Sequence, residues 1–202
     1  IAAFFIMYFL RGIDNEFERP DNIETFISSS LEKSGKDAIS YLGLRGGYIN
    51  PTRTISVSGR DITVLSAVPD RETLERYLAI KAEEYIIACA DIEKFHGRVN
   101  AGIPKITASI MESTVLFELE YPIEAEYEDT KYSFNDFSAV IDARVGYVFD
   151  EIERSIHLYM QRGMYNLSHL EALDFRTAAY DYDGHIIFDF NDGDVRVVYA
   201  IS

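Results

Sequence analysis

The hydrophobic pattern becomes periodic after Arg19-Pro20-Asp21, where Ile23, Phe26, Ile27, Leu31, Ala38, Tyr41 and Leu42 recur at three- and four-residue spacing. This is the apolar stripe of an amphipathic helix, and it predicts a helix over residues 21–44 with Pro20 at its opening turn. Gly43, Gly46 and Gly47 supply the stop, because glycine enters the left-handed backbone of a helix end without a Cβ penalty. Residues 53–57 and 61–65 then alternate around Ser58-Gly59-Arg60, a hairpin pattern closed by Val68-Pro69-Asp70. A second stripe follows the N-cap candidate Asp70, through Leu74, Tyr77, Leu78, Ala82, Tyr85, Ile86, Cys89 and Ile92, and predicts a helix reaching Phe95. Cys89 lies on that stripe and reads as a core residue rather than a nucleophile.

Between Pro104 and Arg144 the period shortens to two, predicting strands over 105–111, 114–127 and 131–142. In the middle one Phe117, Leu119, Tyr121, Ile123, Ala125 and Tyr127 alternate with Glu118, Glu120, Pro122, Glu124 and Glu126, so one side faces the core and the other faces water. Pro122 asks for an edge position or a bulge. Val145, Val148, Phe149, Ile152, Ile156, Tyr159 and Met160 form a third helical face, with Gly163 near its end. Residues 174–182, 185–190 and 194–201 read as a three-stranded meander, with Asp183-Gly184 suited to a tight type I′ turn and Asn191-Asp192-Gly193 to a longer one. Helices and antiparallel strands in blocks predict an α+β domain: three long amphipathic helices on antiparallel sheet, with a C-terminal β-meander.

Ahead of these elements, residues 1–10 are apolar without a break and carry Phe4, Phe5, Ile6, Phe9 and Leu10 before Arg11. As a helix they would rise about 15 Å, half the hydrocarbon thickness of a bilayer. Residues 1–12 are therefore expected to be the distal part of a membrane or assembly helix, and 13–202 an extracytoplasmic domain with strands mainly in 104–144 and 174–202. The alternative is an element buried in the core of a soluble domain.

Charge changes the list of partners. Against 34 Asp and Glu stand 19 Lys and Arg, a formal charge of −15 that repels phosphate backbones, so nucleic acid is not expected as a partner. If a membrane span precedes the domain, the acidic remainder is expected outside the cell, since positive residues favour the cytoplasmic side; Arg11 alone does not set the orientation. One cysteine excludes an internal disulfide and thiolate-rich metal sites.

Motifs for chemistry are sparse. The carboxylates Asp181, Asp183, Asp189, Asp192 and Asp194, with Asn191, cluster around two turns and are weak candidates for a hard cation such as calcium, although the spacing is not that of an EF-hand. Glu118, Glu120, Glu124 and Glu126 share one strand face, which is the pattern of a solvated surface more than of paired acid–base catalysis. His96, His157, His169 and His185 fit no zinc-protease spacing. Residues 42–48 hold a glycine cluster that closes a helix instead of opening one, so it is not a phosphate loop. Asn166-Leu167-Ser168 is a glycosylation sequon. No catalytic residues and no cofactor are expected.

The apolar start, Phe26-Ile27-Ser28-Ser29-Ser30-Leu31, Tyr41-Leu42-Gly43-Leu44-Arg45-Gly46-Gly47-Tyr48-Ile49, Tyr121-Pro122-Ile123 and the helix after Val145 together resemble a group of archaeal surface proteins with a pilin-type N-terminal membrane helix. The resemblance implies a single-pass anchor in the cell membrane, a folded domain outside it, and self-association or contact with envelope proteins, in a filament or surface layer. It also implies that Ser30 stands where relatives often carry a cysteine able to partner Cys89. The competing expectation is a tethered ligand-binding or hydrolytic domain using the carboxylates of the last hairpins.

Overall fold

The computed structural model describes residues 21–65, 67–92, 95, 98–127, 129–162 and 173–202. In chain order these form α1 (Asp21–Gly43), β1 (Thr54–Val57), β2 (Arg60–Val64), α2 (Arg71–Cys89), β3 (Arg98–Ala101), β4 (Lys105–Ile110), β5 (Thr114–Tyr127), β6 (Thr130–Asp142), α3 (Val145–Arg162), β7 (Arg176–Tyr182), β8 (His185–Asn191) and β9 (Arg196–Ile201). The class is α+β, with two sheets. Residues 1–10, which carry the expected membrane segment, lie outside the described residues, as do Asn166, His96 and His169. Among the described residues no helix is long and apolar enough to cross a membrane.

The expectation of purely antiparallel sheet needs correction. The five-stranded sheet runs β1-β2-β9-β8-β7, and its central pair, β2 with β9, is parallel, with Thr63 opposite Tyr199 and Val64 opposite Ala200. The early hairpin and the late meander are thus one sheet, joined by strands from opposite ends of the described chain. Both outer hairpins turn on two left-handed residues, Ser58-Gly59 (φ 51° and 80°) and Asp183-Gly184 (φ 48° and 75°), the type I′ geometry that matches strand twist. The sheet curls far enough that the Tyr182 hydroxyl of β7 donates to the Ser56 carbonyl of β1 at 3.4 Å, so its two edge strands approach each other. Ile62, Val64, Ile187 and Ala200 fill the inside of the curl.

In the second sheet β5 pairs with β6 along one side, while β4 and then β3 share the other. Pro122 falls where β4 ends and β3 begins, and the register with β6 shifts between Glu120 and Ile123, so the proline marks a bulge in a central strand and not an edge. Strand β3 has no counterpart among the expected elements. It is four residues long, too short for its alternation to stand out.

Helix α1 buries Ile23, Ile27, Leu31, Ala38, Ile39 and Leu42 against both sheets. Its close approach depends on small residues: a Cβ on Gly35 would lie 2.5 Å from Ile141 Cδ1 and 2.8 Å from Phe117 Cε2. Asp70 caps α2 by accepting from the Thr73 backbone N–H at 2.7 Å, and Leu74, Leu78, Ala82 and Ile86 are its buried stripe. The helix ends at Cys89, not Phe95, because Ala90 leaves helical geometry at ψ 68°. Phe95 still reaches the core, meeting Phe26 edge-on at 5.3 Å, which is why the apolar period outlasts the helix. Cys89 is half-buried. On α3, Val145, Val148, Phe149, Ile152 and Ile156 are buried, whereas Met160, expected on the same face, is 70% exposed.

The five-stranded sheet offers α1 and α3 an aromatic stack: Tyr199 lies 5.2 Å from Phe188 at 14° and 5.9 Å from Phe190 at 10°. Burial raises the Tyr199 phenol well above its ordinary pKa, and its hydroxyl has no hydrogen-bond partner among the described residues. A desolvated, unpaired hydroxyl is a cost that phenylalanine avoids. Tyr199→Phe is expected to stabilise the fold by about 1 kcal/mol, read as a higher denaturant midpoint with an unchanged slope. A lower midpoint would show that the hydroxyl is solvated or bonded in solution.

Candidate functional site

The carboxylates of the last hairpins do not form a cage. Asp189 is bound by Arg196, which donates from Nε at 3.0 Å and Nη2 at 2.7 Å and is raised in pKa by that pairing. Asp192 receives both Nε and Nη2 of Arg144, and Arg144 Nη1 donates to Asp174 at 2.7 Å. Asn191 Oδ1 accepts from the Gly193 backbone N–H at 3.0 Å. Asp181, Asp183 and Asp194 are exposed on β7 and in the turns. Among the described residues no group of three His, Cys, Asp or Glu is placed to hold a metal ion. The oxygens are instead joints of the fold. Arg144 sits between β6 and α3, lies 5.0 Å over the Tyr147 ring, and ties both to the chain before β7 and to the β8–β9 turn. Pairing with Arg144 holds the Asp174 carboxyl below its usual range, and the two aspartates push the guanidinium up.

The two described histidines lie apart: His157 on α3 meets Gln161 at 2.7 Å, and His185 contacts the Asp183 carbonyl at 3.0 Å. Glu151, a buried carboxylate on α3, was not legible as such; it pairs with Arg154 at 2.8 Å.

Among the described residues, the outer face of the second sheet and one of its edges are left open. Glu118 and Glu120, with Thr107, Lys105, Ser138 and Asp136 opposite them, line an open depression of about 440 Å³. Further along, Glu124 and Glu126 lie among Asn100, Arg98, Ser133 and Lys131. This is the wet side expected from the alternation of β5, with cations interspersed.

The edges are treated unequally. Along β4, the outward N–H groups of Ile106 and Ile110 donate at 2.8 Å to Glu83 and Glu75 of α2. Eight helical residues rise about 12 Å and four strand residues about 13 Å, so two carboxylates two turns apart meet two amides four residues apart. Helix α2 thereby caps that edge. Strand β3 is short, and one side-chain bond, from the Tyr182 hydroxyl of β7 to the Ser56 carbonyl of β1, joins the edge strands of the five-stranded sheet. Strand β6 has none of these protections. Its 13 residues contain no proline and a single lysine, and among the described residues nothing pairs with its outward backbone. A groove of about 350 Å³ separates it from the polar side of α1, bounded by Glu24, Thr25, Ser28, Ser29 and Glu32 on the helix and by Ser138, Ala139 and Val140 on the strand. Among known proteins, no family model, curated sequence or solved structure matches the chain.

Proposed function

We propose that this chain is a membrane-anchored, extracytoplasmic surface protein of pilin-like design, whose domain works in envelope or filament architecture by binding other proteins. The observation that carries the reading is the long β6 edge, which nothing caps among the described residues whereas α2 caps the β4 edge of the same sheet, since an open edge is a template for strand addition. The apolar residues 1–10, with Phe4, Phe5, Ile6, Phe9 and Leu10, support an anchor ahead of the domain.

Immunogold electron microscopy of native envelopes tests this. Labelled filaments or a surface lattice are the expected result. Dispersed single copies would sink the architectural role, and would move attention to the depression beside Lys105, Glu118, Glu120 and Asp136 as a ligand site of a tethered binding or hydrolytic domain.

A further inference from the structure

From the β6 edge, free among the described residues, we infer that two copies of this chain pair through β6, antiparallel about a two-fold axis between Asn135 and Asp136. The inference deepens the architectural reading and rests on it for the partner's identity, while its register comes from the strand itself.

Residues directly opposite in an antiparallel pair must lie on the same face of the sheet. Along β6, Tyr132, Phe134, Phe137, Ala139 and Ile141 turn to the core side, the first two and Ala139 half-buried, while Lys131, Ser133, Asn135, Asp136, Ser138 and Val140 are exposed. The alternation is therefore broken once, at Asn135-Asp136, where two consecutive side chains face out and the Asn135 amide donates to Asp136 at 2.9 Å. The break lies opposite the β5 bulge.

Paired along its whole length, a strand with one such break matches a second copy of itself without a face mismatch only when the two-fold axis passes through the break. Moved by one residue either way, the axis sets a core-facing side chain against a solvent-facing one at the centre. In the matching register Asn135 faces the partner's Asp136, Phe134 faces the partner's Phe137, Ser133 faces the partner's Ser138, and Tyr132 faces the partner's Ala139. Every pair shares a face. The half-buried Phe134 and Tyr132 gain apolar cover, and the amide of Asn135 gains a carboxylate across the axis.

The groove beside α1 fits the same arrangement. The matching register lays the first half of the partner's β6 along Ser138, Ala139 and Val140, where small side chains at Thr25, Ser28 and Ser29 leave room. That half carries Lys131 and no carboxylate, and the groove wall carries Glu24 and Glu32. Complementary charge at this point offsets part of the repulsion between two chains of −15. Pairing then extends the second sheet across the axis into a continuous sheet of eight strands.

The test uses the whole 202-residue chain in one detergent, by analytical ultracentrifugation, as wild type, N135D and N135K. Asn135 is exposed, so both variants keep the monomer fold, which is checked by unchanged melting at high dilution. A reversible dimer at micromolar protein is expected. N135D sets two like-charged pairs across the axis and raises the dimer dissociation constant about tenfold, whereas N135K sets two opposite-charged pairs and lowers it several-fold. Added salt narrows the spread between the variants. Association through residues 1–20 is common to all three chains and shifts none relative to another. A monomer throughout, or one dissociation constant shared by the three, overturns the pairing. The two ideas fail separately. An envelope lattice built equally well by N135D and N135K chains removes the β6 pairing and leaves the architectural role; a dimer that follows the charge at position 135 beside dispersed copies on the envelope does the reverse.

Discussion

Gly43→Ala is expected to destabilise the protein by about 3 kcal/mol or more, although the position closes a helix where alanine is intrinsically favoured over glycine by up to about 1 kcal/mol. The sign turns on one contact. A Cβ at residue 43 would stand 2.2 Å from the backbone carbonyl oxygen of Arg196 and 3.1 Å from its carbonyl carbon. A side chain in that place could swing away, but Arg196 lies on β9, held by β8 on one side and β2 on the other. Relieving the clash means moving a central strand of a close-packed sheet or lifting the end of α1 off it. The region is already drawn tight: Gly47 donates to the Leu42 carbonyl at 2.8 Å, and Thr63 Oγ1 of β2 donates to the Arg45 carbonyl at 2.9 Å. Gly59→Ala is the control. That glycine has φ 80° but nothing within 4 Å of the added carbon, so it costs only backbone strain of about 1 kcal/mol. Urea midpoints of the two variants decide the matter. If Gly43→Ala is no worse than Gly59→Ala, the contact between α1 and β9 is looser than described.

The same segment shows what was legible in the chain. The glycine cluster at 43–47 announced a helix stop, and it is present; what the glycines pack against was not announced. Local signals carried well: the stripe of α1, the Asp70 cap, the alternation of β5 and the Asp183-Gly184 turn all depend on neighbours a few residues apart. Pairings between distant segments did not. The parallel contact of β2 with β9 joins residues 63–64 to 199–200, and no local pattern encodes it. The candidate cation turns failed as a cage for the same reason. Arg144 stands 48 residues before Asp192 and 30 before Asp174, so the acidic run looked unpaired until the fold brought its counterion in. The four glutamates of β5 face solvent as read, but the value of the sheet beside them lies in the β6 edge. That edge stands out only once the cap on β4 is in place, since Glu75 and Glu83 look like ordinary surface residues along α2.

Arg144→Met is expected to cost about 2 kcal/mol at neutral pH, because it strips two charge-assisted bonds from Asp192, whose side chain is only 11% exposed. Methionine keeps an unbranched stem over Tyr147, so the loss reports the guanidinium rather than the packing. The pH dependence supplies the second readout. Arg144 lowers the Asp174 carboxyl pKa in the folded protein, so this coupling is fully present above the unfolded value of about 4 and is lost as pH falls through the lower folded value. Stability of the wild type should therefore drop more steeply below about pH 4 than that of the variant, and the gap between the two should narrow with acid. Chemical denaturation at neutral and acidic pH measures both arms. A gap that is constant across pH would mean that Arg144 acts through packing alone. A gap that closes places the ion pairing of Arg144 with Asp174 and Asp192, and with it the clamp from the β6–α3 junction to the five-stranded sheet, among the interactions that hold the two sheets together.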